Sequence, residues 1–178
     1  MIVGLVGYSR AGKNALAERM SEYEQAAFAN ALKMEVTRML KTVDMEVDVW
    51  GADKEYWRDL LVFWGRKRRE KDRDYWIKQL FLRIAPAADK RIIITDVRYS
   101  NEVDWILKQG GWVLGLDRPG FGPANAEEEY SIKHMRIMHP DMPWLRNDGT
   151  LDELEKAFRA TLKVEIFRHK KLDGKPGE

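Results

Sequence analysis

The sequence predicts an α/β protein built on a parallel sheet, and three observations carry that expectation. Ile2, Val3, Leu5 and Val6 form a short apolar run rich in β-branched residues, and Ile92-Ile93-Ile94-Thr95 and Trp112 to Leu116 form two more. They are apolar on consecutive residues, as strands covered on both faces should be. Segments with apolar residues at i, i+3 and i+4 alternate with these runs, the order of a sheet wound with crossover helices. The first run also leads straight into Gly7-Tyr8-Ser9-Arg10-Ala11-Gly12-Lys13-Asn14 and a segment carrying Ala15, Leu16, Ala17 and Met20. A strand, a glycine-bracketed loop and a helix thus open the chain.

Later elements follow in order. Ala26 to Ala29 is a short strand candidate. Asn30 to Thr42 has helical spacing through Leu32, Val36, Met39 and Leu40, and residues 43–54 read as a loop. From Lys54 to Arg69, Trp57, Leu60, Leu61 and Trp64 fall at i, i+3, i+4 and i+7, which predicts an amphipathic helix. Asp72 or Asp74 can cap a second one carrying Trp76, Ile77, Leu80, Phe81 and Ile84, which Pro86 would end. Asn101 to Gln109 is expected to be helical, with Val103, Ile106 and Leu107 inward and Gly110 as its stop. Residues 117–141 hold several prolines and glycines and the run Glu127-Glu128-Glu129, and read as a long loop of the kind that forms lids. Met142 to Arg146 is a strand candidate. Thr150-Leu151-Asp152-Glu153 is a capping box opening a helix with Leu151, Leu154, Phe158, Leu162 and Ile166 on its buried side. The expected organisation is one domain over residues 1–168, followed by a basic flexible tail over 169–178.

Composition excludes several classes. The chain has 178 residues, 44% of them hydrophobic, which suits a globular protein rather than a disordered one. No apolar run approaches a membrane span, and Met1 leads into a strand with no basic leader, so a soluble, cytoplasmic protein is expected. With 31 basic against 29 acidic residues, the balance is not that of a protein living on bulk nucleic acid. There is no cysteine, hence no disulfide and no thiolate metal site. His134 and His139 are too isolated to suggest a metal centre and are expected at the surface. Seven basic residues cluster between Arg58 and Arg73, a pattern that a solvated helix end explains for most of them.

The loop at 7–14 is where the chemistry concentrates. Glycines at both ends let a backbone turn tightly and point its amides at an anion, and a lysine placed as Lys13 is can reach the β- and γ-phosphates of a nucleoside triphosphate. This is the P-loop pattern with one departure. Asn14 stands where a Ser or Thr hydroxyl would hold Mg²⁺, so any metal contact at Asn14 would be made by an amide oxygen, directly or through water. Asp96 follows the second strong strand and can serve a metal-bound water, a substrate hydroxyl or a proton. Arg98, two residues on, can clamp a phosphate, and Glu102 can pair with Arg98 or touch substrate. Arg10 and Arg118 add further cations. Ligands of open parallel sheets bind beyond the carboxyl ends of the strands, where Gly7, Asp96 and Asp117 all fall.

In the order and spacing of several motifs the chain resembles the bacteriophage-type deoxynucleoside monophosphate kinases, within the P-loop nucleoside monophosphate kinase fold. The resemblance runs from Val3 to about Leu162. It rests on residues 7–14, Phe-Ala-Asn-Ala-Leu-Lys at 28–33, Trp-Gly-Arg-Lys-Arg-Arg-Glu at 64–70 and Asp-Tyr-Trp at 74–76. Thr-Asp-Val-Arg-Tyr-Ser-Asn-Glu at 95–102, Asp-Arg-Pro-Gly at 117–120 and Asn-Asp-Gly-Thr-Leu at 147–151 complete it. The resemblance implies a three-layer α/β/α fold with a helical substrate-binding part at about 30–88 and a lid at about 117–141. It implies transfer of the γ-phosphoryl group of ATP, with Mg²⁺, to a dNMP. On matching positions, Ser9, Arg10, Ala11, Gly12, Lys13, Asn14, Ala15 and Arg118 would serve ATP. Lys33, Arg58, Arg69, Trp76, Asp96, Arg98 and Glu102 would serve the acceptor, with Lys13, Arg98, Asp96 and Arg10 as the catalytic set. The family usually has Asp-Thr where this chain has Asn14-Ala15. A homodimer is a further expectation from the resemblance. Two other readings fit the loop: a P-loop kinase of another acceptor, such as dephospho-coenzyme A or a phosphorylated alcohol, and a non-catalytic ATP-binding module.

Overall fold

The computed structural model describes residues 1–85 and 89–172, apart from the side chains of Ala52 and of 168–172. The described residues divide between two compact units, one within 1–25 and 89–178 and the other within 26–88.

The first unit is organised on a five-stranded sheet. Its strands are β1 (Ile2–Val6), β2 (Glu24–Ala26), β3 (Ile92–Ile94), β4 (Trp112–Asp117) and β5 (Trp144–Arg146), in the order β2-β3-β1-β4-β5. β1 pairs in parallel with both β3 and β4, and β4 pairs in parallel with β5. The glycine-loop strand is therefore central. Alternate side chains of each strand serve opposite faces. Val3, Leu5, Ile93, Leu114 and Leu116 join Leu16, Ala17 and Met20 of α1 (Lys13–Arg19) and Leu154, Phe158 and Leu162 of α7 (Leu151–Leu172) in one buried cluster. The opposite face receives α5 (Ser100–Lys108). A Cβ on Gly4 would lie 2.6 Å from Ile106 Cδ1, so this glycine lets α5 approach the central strand closely. On the edge, the Trp144 ring lies over Gly115, its register partner, and fills the space a side chain would need.

The capping box at Thr150 forms as the sequence predicts: Thr150 N donates to Glu153 Oε2 at 2.7 Å, and Glu153 N donates to Thr150 Oγ1 at 3.3 Å. Leu151 is an exception to the expected buried face, since it is exposed at the first turn. The helix continues to Leu172, so residues 169–172 are helical rather than part of a tail; 173–178 lie outside the described residues. The largest departure is in 117–141. A 13-residue helix, α6 (Ala126–Met138), occupies the second half of what reads as a loop, burying Ile132 and Met135.

The second unit is helical: α2 (Phe28–Lys41), α3 (Arg58–Lys71) and α4 (Tyr75–Ile84). Phe28 and Ala29, expected to be extended, open α2, and the strand precedes them at Glu24–Ala26. A short 3₁₀ turn at Ala52–Lys54 delays α3 to Arg58. Val36, Leu40, Val49 and Leu61 form its buried centre, with Trp57, Leu60 and Trp64 packed against them. Phe81, which the spacing places inward on α4, is exposed. Pro86, the expected end of α4, lies outside the described residues.

Candidate active site

β1 delivers the chain to Gly7 with nowhere for a side chain to go. Gly7 has φ +148°, and a Cβ there would stand 2.5 Å from the Leu116 carbonyl oxygen on β4. The loop turns through Arg10 at φ 65°, a conformation costly for a residue other than glycine, and Gly12 at φ 101°. Ala11 N closes the turn on Tyr8 O at 3.1 Å, while the Ala11 methyl is buried in the core. Asn147, just past β5, fixes the loop from outside. Its backbone N donates to Asp117 O at 2.7 Å and its Nδ2 donates to Ala11 O at 2.9 Å. The same amide would lie 2.5 Å from a Cβ on Gly12, which ties that glycine to a close approach as well as to its φ. Sequence reasoning does not single out Asn147 beyond its place in the 147–151 motif.

Lys13 is the first residue of α1, and its Nζ donates to the carbonyls of Gly7 at 2.6 Å and Tyr8 at 2.8 Å. Burial pushes its pKa from 10.5 down to about 8; nearby Glu128 opposes that shift, Arg98 adds to it and Asp96 opposes it. The fold thus gathers Lys13, Asp96 and Arg98 into one electrostatic neighbourhood, and adds a carboxylate from α6. Asp96 is half-buried just past β3, and Arg98 is exposed two residues on. Ser9, Arg10, Asn14 and Ala15 are exposed. Arg118 leaves β4 and donates through Nη1 to the Arg10 carbonyl at 3.3 Å, its guanidinium 4.5 Å from the Phe121 ring centre.

Two of the residues expected at the acceptor are buried and hydrogen-bonded within the protein. Glu102 is only 2% exposed, and its Oε2 accepts from the backbone N–H groups of Arg98 at 2.7 Å and Tyr99 at 3.1 Å. That oxygen caps α5 and fixes the backbone of Arg98 and Tyr99 ahead of the helix. Trp76 is likewise 2% exposed and its indole N–H donates to Gly65 O at 3.1 Å, so its ring is a core group joining α4 to α3.

The other candidates of the helical unit are Lys33, half-buried with Nζ 4.5 Å from the Trp50 ring centre, Arg58, paired with Glu55 at 3.0 Å, and half-buried Arg69. Much of the basic cluster is engaged by carboxylates: Arg66 and Lys67 pair with Glu70, and Arg68 with Glu35. Glu35, which sequence reasoning passes over, also accepts from Trp64 Nε1 at 2.9 Å and Tyr75 Oη at 2.7 Å, joining all three helices of its unit.

Among the described residues no group of three or more His, Cys, Asp or Glu side chains could hold a metal ion, and His139, expected at the surface, has a largely buried imidazole. The oxygen donors present still suit magnesium, which keeps several waters and binds through one or two protein oxygens plus phosphates. The Asn14 amide and the Asp96 carboxylate are of that kind. An anion also fits the loop, because the Ser9 N–H already donates to a carboxylate oxygen, Glu128 Oε1, at 3.0 Å. No helix of the described residues is long and apolar enough to cross a membrane.

The chain matches no protein-family model. Over 82 residues it is 32% identical to a protein of Acanthamoeba polyphaga mimivirus named "Putative deoxynucleotide monophosphate kinase", a match covering 44% of this chain and 38% of that protein. The matched stretch thus spans well under half the length of this relative. Among solved structures, the chain is similar to a shikimate kinase from Aquifex aeolicus, with TM-score 0.50 and 12% identity, covering 94% of this chain and 99% of that one. It is similar also to a gluconokinase from Sinorhizobium meliloti 1021, with TM-score 0.52 and 13% identity, covering 94% and 96%. The fold is the α/β fold of the P-loop kinases.

Proposed function

We propose that this protein transfers the γ-phosphoryl group of ATP to a deoxynucleoside monophosphate, giving the diphosphate for DNA synthesis. The observation that carries the reading is the loop itself: an amide already hydrogen-bonded to an anionic oxygen, and Lys13, on which the charges of Arg98 and Asp96 act. Phosphoryl transfer asks mainly for positioning and charge neutralisation, and this arrangement is suited to both. On binding, Lys13 would exchange the Gly7 and Tyr8 carbonyls for phosphate oxygens. Arg98, its backbone fixed by Glu102, would neutralise charge on the moving group. Arg10 and Arg118, joined at the loop's outer side, would add charge toward ATP. Asn14 and Asp96 would hold magnesium through water, and the bound ion would neutralise charge on the phosphates.

A deoxynucleotide as acceptor is supported by the motif resemblance and by the partial likeness to the mimivirus protein. Lys33, Arg58 and Arg69 are the cations that the helical unit would offer such an acceptor. The test is a product assay with ATP, Mg²⁺ and each common dNMP in turn, with dephospho-coenzyme A in a parallel arm. Formation of a dNDP, abolished by Lys13→Ala in a protein that still melts normally, is the expected result. Phosphorylation of dephospho-coenzyme A alone would move the protein to another acceptor. ATP binding without any turnover would make it a binding module.

A further inference from the structure

A buried carboxylate on the phosphate loop is an unusual neighbour for a site meant to hold phosphate. Glu128 is 6% exposed. Its Oε2 accepts from Ala124 N at 2.7 Å, and its own backbone N–H donates to Asn125 Oδ1 at 2.8 Å, so part of its role is to close the start of α6. Capping accounts for one oxygen only. The other reaches the loop and accepts from Ser9 N, 119 residues away in sequence, and the carboxylate is the strongest charge acting on Lys13. Next to it, Tyr99 Oη donates to Glu127 Oε1 at 2.9 Å, a second tie between α6 and the strand ends. Gly7, Arg98, Tyr99, Glu127 and Glu128 line the narrow cleft left between them.

We infer that Glu128 is a built-in anion, seated on the loop in the ligand-free protein and displaced when a triphosphate enters. The inference rests on the phosphate-loop reading above and adds a regulation of that site. The Ser9 amide has one hydrogen to donate, and a carboxylate and a phosphate at hydrogen-bonding distance of it would repel each other in a partly desolvated place. Binding therefore requires α6 to withdraw at its first turn. The lead into α6 can absorb such a movement: Gly120, at φ +81°, and Gly122 have open space around their α-carbons. The cost of withdrawal lowers the apparent affinity for ATP, as any poorly populated binding-competent state does.

The experiment compares wild type with Glu128→Gln and Glu128→Asp, the latter keeping the charge but too short to span Ser9 and Ala124. Two readouts are taken: hydrogen exchange of the Ser9 amide without ligand, and ATP affinity by calorimetry. The expected result is faster Ser9 exchange together with ATP binding tighter by about tenfold, the size of effect that losing one charge-assisted hydrogen bond produces. Unchanged Ser9 exchange would overturn the contact. Faster exchange with unchanged or weaker ATP binding would overturn the displacement and make Glu128 a bystander or an aid to the nucleotide. Faster exchange in proteins that bind no ATP at all, wild type included, would instead remove the phosphate-site reading, and the displacement with it.

Discussion

Lys13 carries its charge under protest in the ligand-free protein. Burial holds its pKa near 8 against an ordinary value of 10.5, although Glu128 and Asp96 pull the other way. Between those two values the unfolded chain binds more protons than the folded one, so this group makes the protein more stable as pH rises from about 8 toward 10.5, and its penalty is full below 8. Ligand binding runs opposite. A triphosphate favours the charged lysine, so ATP binding takes up a proton above pH 8 and weakens as pH rises through that value. Calorimetry in buffers of different ionisation enthalpy checks this, and Lys13→Met should abolish the proton uptake. Arg98 makes a complementary prediction: Arg98→Ala should lower kcat by about 10²–10³, as loss of a preorganised charge donor does, with little change in melting temperature. A lowered melting temperature with kcat preserved would show a structural ion pair instead.

At the scale of elements, α5 and α6 show what sequence patterns reveal and what they hide. Glu102 three residues beyond Tyr99 reads equally as a surface charge or a substrate contact, because no local pattern tells a carboxylate that it will be buried on two backbone amides. Glu102→Ala should therefore destabilise the protein by about 1–3 kcal/mol, the cost of a lost cap with buried donors left unpaired. It should also lower kcat through a displaced Arg98; thermal melts and steady-state kinetics measure the two. α6 escapes notice because Pro119, Gly120, Gly122 and Pro123 precede it, Pro140 follows it, and only Ile132 and Met135 of its apolar residues are buried. One signal was available. Asn125 followed three residues later by Glu128, with acidic residues through the first turn, is a helix-start signature, and the Asn125 side chain does cap Glu128 N. The box at Thr150 and Glu153 was legible because a long apolar stripe follows it, which α6 lacks.

For the molecule as a whole, what was legible is what depends on short-range order. The β-branched apolar run at 92–94 and the mostly apolar run at 112–116 are short enough to suit strands of a covered sheet, and Gly7 and Gly12 mark the loop by a φ that other residues avoid. Contacts between residues far apart in sequence were not legible. Asn147 on Ala11, Glu128 on Ser9, and Glu35 beneath Trp64, Arg68 and Tyr75 are set by how elements pack. The tryptophans illustrate the same limit: helical spacing marks Trp57 and Trp64 on one apolar face and Trp76 on that of the next helix, but only packing shows Trp76 enclosed and bonded to Gly65. Phosphoryl transfer by this protein requires the loop at 7–13 to receive a triphosphate, and an ATP titration followed through backbone amide resonances tests that most directly. The largest shifts should fall on Ser9 to Lys13, with Glu128 and Ala124 moving as α6 releases its contact. Shifts confined to other parts of the chain, with the Ser9–Lys13 amides unmoved at saturating ATP, would contradict it.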